Sequence, residues 1–405
     1  MNNTAPKLEV LPKPSIVDFT QQPQLTQEER DAAFAFGKSR NLTDNILDLY
    51  QARGLVVSDE ETALLYYLSS CSRLLDEPLC ITSISSSGAG KSALQSATLE
   101  LSPPESIVRV SSLSPKCLFY QDKNALRHKV LAIEELAGAN DETLLYSLRT
   151  LISEGALRYQ TTSRQNGKIG VTEMVVNGPA SVWVTTTQCN VNSETLSRTF
   201  LVGIDESPEA TAQIIQSQRE AASLEGMLRK VRCKELTELS RSFQRLLKPW
   251  TVVIPESLFS QSEWSDLRLE ARRGHQRFIN LIRATAHLRQ LNKEVQNFDQ
   301  EGLRLSYIQA DQEDIELASR IYDKLYRRSL ADLKPPAREL LQRLQAWIGE
   351  KSPAATWTRR EAIEATGYSK TRFHTYLQEL LDCEYVAKVS GKKNCLSHYR
   401  LLEVS

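Results

Sequence analysis

Residues 79–95 read LCITSISSSGAGKSALQ: an apolar run, a stretch of small residues, then Gly90-Lys91-Ser92 opening a new apolar pattern. Residue types in that order suit phosphate chemistry. In such a loop backbone N–H groups wrap the phosphates, a Lys reaches the β- and γ-phosphates, and a Ser hydroxyl ligates Mg2+. Ser87, Gly88, Ala89 and Gly90 are therefore the expected cradle, Lys91 the phosphate cation and Ser92 the Mg2+ ligand. Ser85 stands where the pattern G-x-x-x-x-G-K-[ST] has its first Gly, so the flanks carry part of the reading. Cys80, Ile81 and Ile84 predict a buried strand. Ala93, Leu94 and Ala97 predict an amphipathic helix whose N-terminus faces the anion. The plainer alternative is a Gly/Ser surface turn that contains GKS by chance.

A second group of residues could complete such a site. Residues 130–133 predict a buried strand that ends in Glu134 and Glu135. Adjacent carboxylates at a strand end suit phosphate-ester hydrolysis: the first holds Mg2+ and its waters, the second polarises the attacking water. Glu134 is one methylene longer than the Asp usual there, and taken alone IEE also reads as a solvated strand end. A helix over 142–155 follows. Then ALRYQTTSRQ runs into Asn166-Gly167 and KIGVTEMVVNGP returns, a hairpin over 157–178 with Arg164 and Lys168 beside its turn. Ordinary solubilising charge explains that basic tip as well as a ligand does. Residues 181–187 predict another buried strand, with Thr186 or Thr187 within reach of a γ-phosphate. Arg198 precedes a strand over 199–204, where it suits a helix cap, a carboxylate partner or a finger offered to a neighbour's nucleotide.

These residues need a frame. Strand–helix alternation from 79 to 204 predicts a parallel sheet with helices on both faces and the ligand at its carboxyl edge. The 405 residues suffice for two to four domains, and 41% hydrophobic with 25% charged residues is an ordinary globular composition. Fifty basic and 50 acidic residues cancel, which excludes a polybasic nucleic-acid coat and leaves DNA contact to local patches. Seven scattered cysteines without a CxxC pair predict neither zinc nor disulfides and fit a reducing cytoplasm. No membrane-spanning run or apolar signal core is expected.

The chain divides into a polar tail (1–25), an N-terminal helical region (26–78), the loop-bearing core (79–208), a helical lid and its extension (209–334) and a last unit (335–405). Helical periodicity dominates 209–248 and 263–330, with Phe278, Leu281, Ile282, Ala286 and Leu288 near one face. In the last unit helices over 337–350, 358–367 and 369–382 precede two strands around Gly391-Lys392-Lys393. Helix–turn–helix followed by a basic two-stranded wing predicts a winged helix. Lys370, Arg372 and His374 open the recognition helix and Lys392 and Lys393 lie in the wing, as DNA binding requires. Protein docking is the competing use of such a unit.

On SSSGAGKS, FYQDKNALRHKVLAIEE, SVWVTTT, SETLSRTFLVGIDES and RRGHQRFINLIRATAHLRQ, the chain resembles AAA+ ATPases of the pre-sensor-hairpin clade. Within it, it is most similar to the minichromosome-maintenance-like helicase modules of bacterial mobile elements and zinc-finger primase–helicase proteins, over roughly residues 40 to 400. The resemblance implies an α/β P-loop AAA+ core with an N-terminal helical collar, a helical lid and a C-terminal winged helix. It also implies ATP and Mg2+ as cofactors and a homo-oligomeric, hexameric ring. Gly88, Gly90, Lys91 and Ser92 would bind nucleotide and Mg2+, with Glu134 and Glu135 as the acidic pair. Thr187 would be the polar sensor, Arg198 the finger acting in trans, and Arg273 or Arg277 the second sensor. Lys168 or Arg164 would grip single-stranded DNA in the central channel, with duplex DNA at the winged helix and a primase or replication protein as a further partner. The expected activity is ATP-dependent DNA unwinding or translocation in replication of a mobile genetic element or similar replicon. An ATP-switched DNA-binding regulator without unwinding, and an ATPase whose last unit docks a protein, remain alternatives. The interval between Lys91 and Glu134 is too short for the extra hairpin insert of the cellular helicases. Neither a zinc finger nor a primase domain is expected within these 405 residues.

Overall fold

The computed structural model describes residues 23–55, 59–84, 91–114, 116–135, 142–165, 168–186, 198–203, 208–261, 269–300, 303–331, 335–349, 356–382, 385–390 and 397–401. Three helices come first: α1 (Gln27–Gly37), α2 (Leu42–Ala52) and α3 (Glu60–Ser72). Thr26 starts α1 with a capping box: its side chain accepts the Glu29 N–H while the Glu29 carboxylate accepts the Thr26 N–H. Asp59 caps α3 through the Thr62 N–H. Every residue of α3 from Thr62 to Ser72 is buried, so this helix is part of the core.

The central sheet is built in chain order from β1 (Ile81–Ile84), α4 (Lys91–Leu101), β2 (Ile107–Val110), β3 (Lys129–Ile133) and α5 (Glu142–Glu154). The hairpin strands β4 (Ala156–Gln165) and β5 (Lys168–Asn177) come next, then β6 (Ala180–Thr186) and β7 (Phe200–Gly203). Five strands pair in parallel in the order β2-β3-β6-β1-β7, and β4 and β5 form a separate antiparallel ribbon. Strand alternation sends side chains to two different cores. Val130, Ala132 and Trp183 join one cluster with α3, α4 and the C-terminal helices, whereas Leu131, Ile133, Val182 and Val184 join another with Leu144, Leu145, Leu148 and Leu151 of α5. Helices therefore cover both faces, as a parallel sheet requires. The buried Trp183 indole donates to the Ser69 and Ser181 hydroxyls at 2.8 and 2.9 Å and meets the Tyr66 ring edge-on at 5.1 Å.

Beyond the sheet lie α6 (Pro208–Ala221), α7 (Leu224–Leu246), β8 (Thr251–Val253), α8 (Leu269–Leu288), β9 (Gln296–Gln300), β10 (Leu303–Gln309) and α9 (Gln312–Ala331). Tyr67 and Ser240 hydroxyls meet at 2.9 Å, Arg73 donates to Gln244 at 2.9 Å, and Arg53 donates to Thr237 at 2.7 Å. These bonds fasten α7 to the N-terminal helices. The face of α8 holding Phe278, Leu281, Ile282, Ala286 and Leu288 is buried. Residues 296–300 and 303–309, expected within a helical lid, instead form two antiparallel strands, the second of which also pairs with β8. The period-two run Leu-Arg-Leu-Ser-Tyr at 303–307 is the signal for it.

The last unit comprises α10 (Pro335–Gly349), β11 (Trp357–Thr358), α11 (Arg359–Thr366), α12 (Lys370–Asp382), β12 (Val386–Ser390) and β13 (His398–Leu401), its strands ordered β11-β13-β12. It has its own core around Leu340, Leu344, Trp357, Phe373, Leu377 and Tyr399. Gly367 ends α11 at φ 72°, a left-handed conformation that glycine adopts without strain. No helix among the described residues is long and apolar enough to cross a membrane.

Candidate functional site

The phosphate-loop expectation lies mostly outside the described residues: Ser87, Gly88, Ala89 and Gly90 belong to 85–90. What is described is the frame on either side. β1 ends at Ile84 between β6 and β7, and Lys91 and Ser92 are the first residues of α4. That helix is anchored along its length. Thr185 of β6 donates to the Gln95 side-chain oxygen at 2.7 Å, and Thr98 meets the buried Tyr50 hydroxyl at 2.8 Å.

Strand register levels the remaining parts. Ile84 lies beside Thr186, and Val184 lies beside Ile133. Glu134 and Glu135 therefore leave β3 beside the ends of β6 and β1, with β6 interposed. Two strand spacings separate β1 from β3, about 10 Å, a gap that a polyphosphate and its cation can fill. Thr186 is buried at the end of β6, and Thr187 is outside the described residues.

Both oxygens of the Glu134 carboxylate are held. Arg109 Nε donates to Oε1 at 2.6 Å, Ser111 donates to Oε2 at 3.2 Å, and the same Arg109 reaches Ser96 on α4 at 3.1 Å. Arg109 and Ser111 carry no motif of their own and were not expected. Only the register, which sets Arg109 beside Ala132, brings the guanidinium to the acid two residues on. Glu135 is exposed and its backbone N–H is fixed on the Ser111 carbonyl at 3.2 Å. A helix-start hydroxyl and a strand-end carboxylate are hard oxygen donors, the chemistry Mg2+ takes.

Arg198 sits elsewhere. β7 runs parallel to β1 with Phe200 beside Ile81, so Arg198 lies at the amino edge, opposite the ends of β1 and β3. Its Nε donates to Ser153 near the end of α5 at 2.7 Å. Arg277 of α8 comes to the same edge, donating to the Thr199 carbonyl at 2.8 Å. It does not join the loop of its own chain. Arg273 lies in α8 with its side chain outside the described part.

The hairpin also starts from the amino edge. Leu157 and Val176 are buried at its base, and the Phe119 and Tyr159 rings pack at 4.8 Å. From that base eight further residue pairs, Arg158–Val175 to Gln165–Lys168, carry the ribbon about 27 Å outward. Arg164 and Lys168 lie at its far end, and Asn166 and Gly167 are outside the described residues. In the last unit Phe373, Leu377 and Leu380 bury one face of α12, leaving Lys370, Arg372 and His374 exposed at its start. Lys392 and Lys393 fall outside the described residues.

Comparison with known proteins agrees with this frame at the level of the domain. The family described as the MTBMA_p00010 P-loop domain matches residues 27–248, from the first residue of α1 to just past α7. No curated protein matches the chain. Among solved structures, a full-length MCM homolog from Methanopyrus kandleri is 14% identical with a TM-score of 0.44, a likeness too loose to carry weight. It covers 75% of this chain, which spans 62% of that one. With more than half of its length matched, the chain belongs to the MTBMA_p00010 P-loop domain family.

Proposed function

We propose that this chain is an ATP hydrolase that assembles as a ring and moves along or unwinds DNA, in replication of a mobile genetic element or similar replicon. The observation that carries the reading is the split of the candidate residues between two edges of one sheet. The α4 start and the acidic pair lie at the carboxyl edge; Arg198 and the base of the basic hairpin lie at the other. A single chain cannot bring Arg198 to its own loop across a strand about 13 Å long. A neighbouring copy can.

Mg2+ with ATP would supply the charge neutralisation and leaving group for phosphoryl transfer. Lys91 would hold the β- and γ-phosphates, Ser92 and Glu134 the cation, and Glu135 would orient the attacking water, with Thr187 near the γ-phosphate. Arg109 would orient Glu134. Arg198 of a neighbour would stabilise charge in the transition state, and Arg273, or Arg277 offered like Arg198 by the neighbour, would act as second sensor. Lys168 and Arg164 would carry the motion to one DNA strand. Lys91→Ala is expected to lower ATP hydrolysis by at least about 100-fold, and Arg198→Ala by about 1000-fold. Unchanged hydrolysis in Lys91→Ala refutes the catalytic assignment.

The exposed, basic start of α12 favours a second reading, an ATP-switched regulator whose last unit, with Lys370, Arg372, Lys392 and Lys393, binds duplex DNA as a winged helix without unwinding. Lys168→Ala separates the two. The translocase reading expects loss of strand displacement on a forked duplex with ATP hydrolysis retained; the regulator reading expects no strand displacement even from the unaltered protein.

A further inference from the structure

A groove of about 1130 Å3 opens where α1, the α7–β8 connection and the β9–β10 hairpin meet, and none of the residues assigned above lines it. Its walls combine cations with aromatic faces. Arg30 comes from α1, Lys248 and Trp250 from the connection, and Phe298 and Arg304 from the hairpin. Lys248 Nζ stands 5.7 Å from the centre of the Trp250 ring, and Phe298 is 39% exposed. Arg30 and Lys248 are exposed and have no ion pair among the described residues. Arg304, 85% exposed, pairs with Asp299 at 2.9 Å, a solvent-screened contact that a polyanion can displace. Arg245 also lines the groove but is committed to Glu105 through two bonds of 2.8 and 3.1 Å.

With Arg245 held by Glu105, three cations, Arg30, Lys248 and Arg304, stand with one carboxylate, Asp299, in a chain whose 50 basic and 50 acidic residues cancel. The positive charge is a property of this place. An apolar partner segment would leave the cations of the rim unpaired, and a single phosphate would leave the exposed Phe298 ring unused. We infer that the groove binds a segment of single-stranded nucleic acid, with phosphodiesters on Arg30, Lys248 and Arg304 and bases against Trp250 and Phe298. Base–aromatic stacking tolerates any sequence, and each phosphate neutralised releases counterions, so binding here is sequence-independent and sensitive to salt. The inference rests on the DNA-translocating reading and adds a second contact to the strand, away from the hairpin tip.

The test uses the full chain and a fluorescein-labelled oligothymidylate, followed by anisotropy across a salt series. A parallel series uses a bromouracil-substituted oligonucleotide for photocrosslinking. Arg30→Gln with Lys248→Gln should weaken binding at least about five-fold and flatten the log–log salt slope by about 1.4, with DNA-free ATP hydrolysis unchanged as the control for folding. Crosslinks should map to Trp250 or Phe298. Affinity within two-fold of the unaltered protein, with crosslinks confined to the β4–β5 hairpin or the last unit, overturns the groove and leaves the translocase reading intact. Failure of the unaltered protein to bind the oligonucleotide at any salt overturns both.

Discussion

His287 is wholly buried on α8, its Nε2 3.1 Å from the Lys248 carbonyl oxygen, and burial lowers its pKa from 6.5 to about 4. The unfolded chain takes up this proton near pH 6.5, whereas the folded chain resists it until about pH 4. The contribution to stability is therefore complete above pH 6.5 and is lost as pH falls towards 4, a total of about 3 kcal/mol. His287→Phe should lose about 2 kcal/mol less than the unaltered protein between pH 7 and 4.5 in urea unfolding. Equal losses, or an imidazole that titrates near 6.5 in the folded protein by NMR, contradict this. Single residues also differ in how plainly the sequence announces them. Glu134 and Glu135 stand out because two carboxylates follow four apolar residues. Arg109 is invisible there: its partnership with Glu134 arises only when β2 and β3 pair in register. Residues that act through strand pairing leave no local pattern.

Among the elements, α1 and α7 show how tightly the N-terminal helices are built into the P-loop domain. A Cβ added to Gly37, at the end of α1, would run into the Phe243 ring and the Leu291 side chain. Gly37→Ala should destabilise the protein by about 1–3 kcal/mol, read as a lower urea midpoint with an unchanged slope. An unchanged midpoint would mean that α1 packs more loosely than its contact with Phe243 implies. The strands of the sheet and the long ribbon are legible as sequence because each is a run of β-prone residues bounded by turn or cap signals. The small sheet of β8, β10 and β9 is not. β8 has three residues, and the β9–β10 hairpin is flanked by strongly helical segments whose periodicity dominates the window. The ribbon is held at one end: its base is buried between Phe119 and α5, while Val171 further out is 70% exposed. The Lys168→Ala strand-displacement measurement tests the DNA contact proposed for its far end.

At the scale of the molecule, the order of five segments along the chain was readable: loop strand, acidic pair, hairpin, polar strand end, arginine. Their separation onto two edges was not, because it depends on strand order and parallel pairing across more than 100 residues. That separation is what makes the proposed site a shared one. If each site joins the loop of one copy to Arg198 of the next, two inactive variants can complement each other. Lys91→Ala supplies a good Arg198, and Arg198→Ala supplies a good loop. In an equal random mixture roughly a quarter of the interfaces join the two intact halves, as head-to-tail ring geometry dictates. The decisive measurement is steady-state ATP hydrolysis by that mixture after subunit exchange. The shared site predicts that activity absent from either variant alone returns to roughly a quarter of the unaltered level. A mixture that exchanges subunits yet hydrolyses no more ATP than its separate components would contradict it.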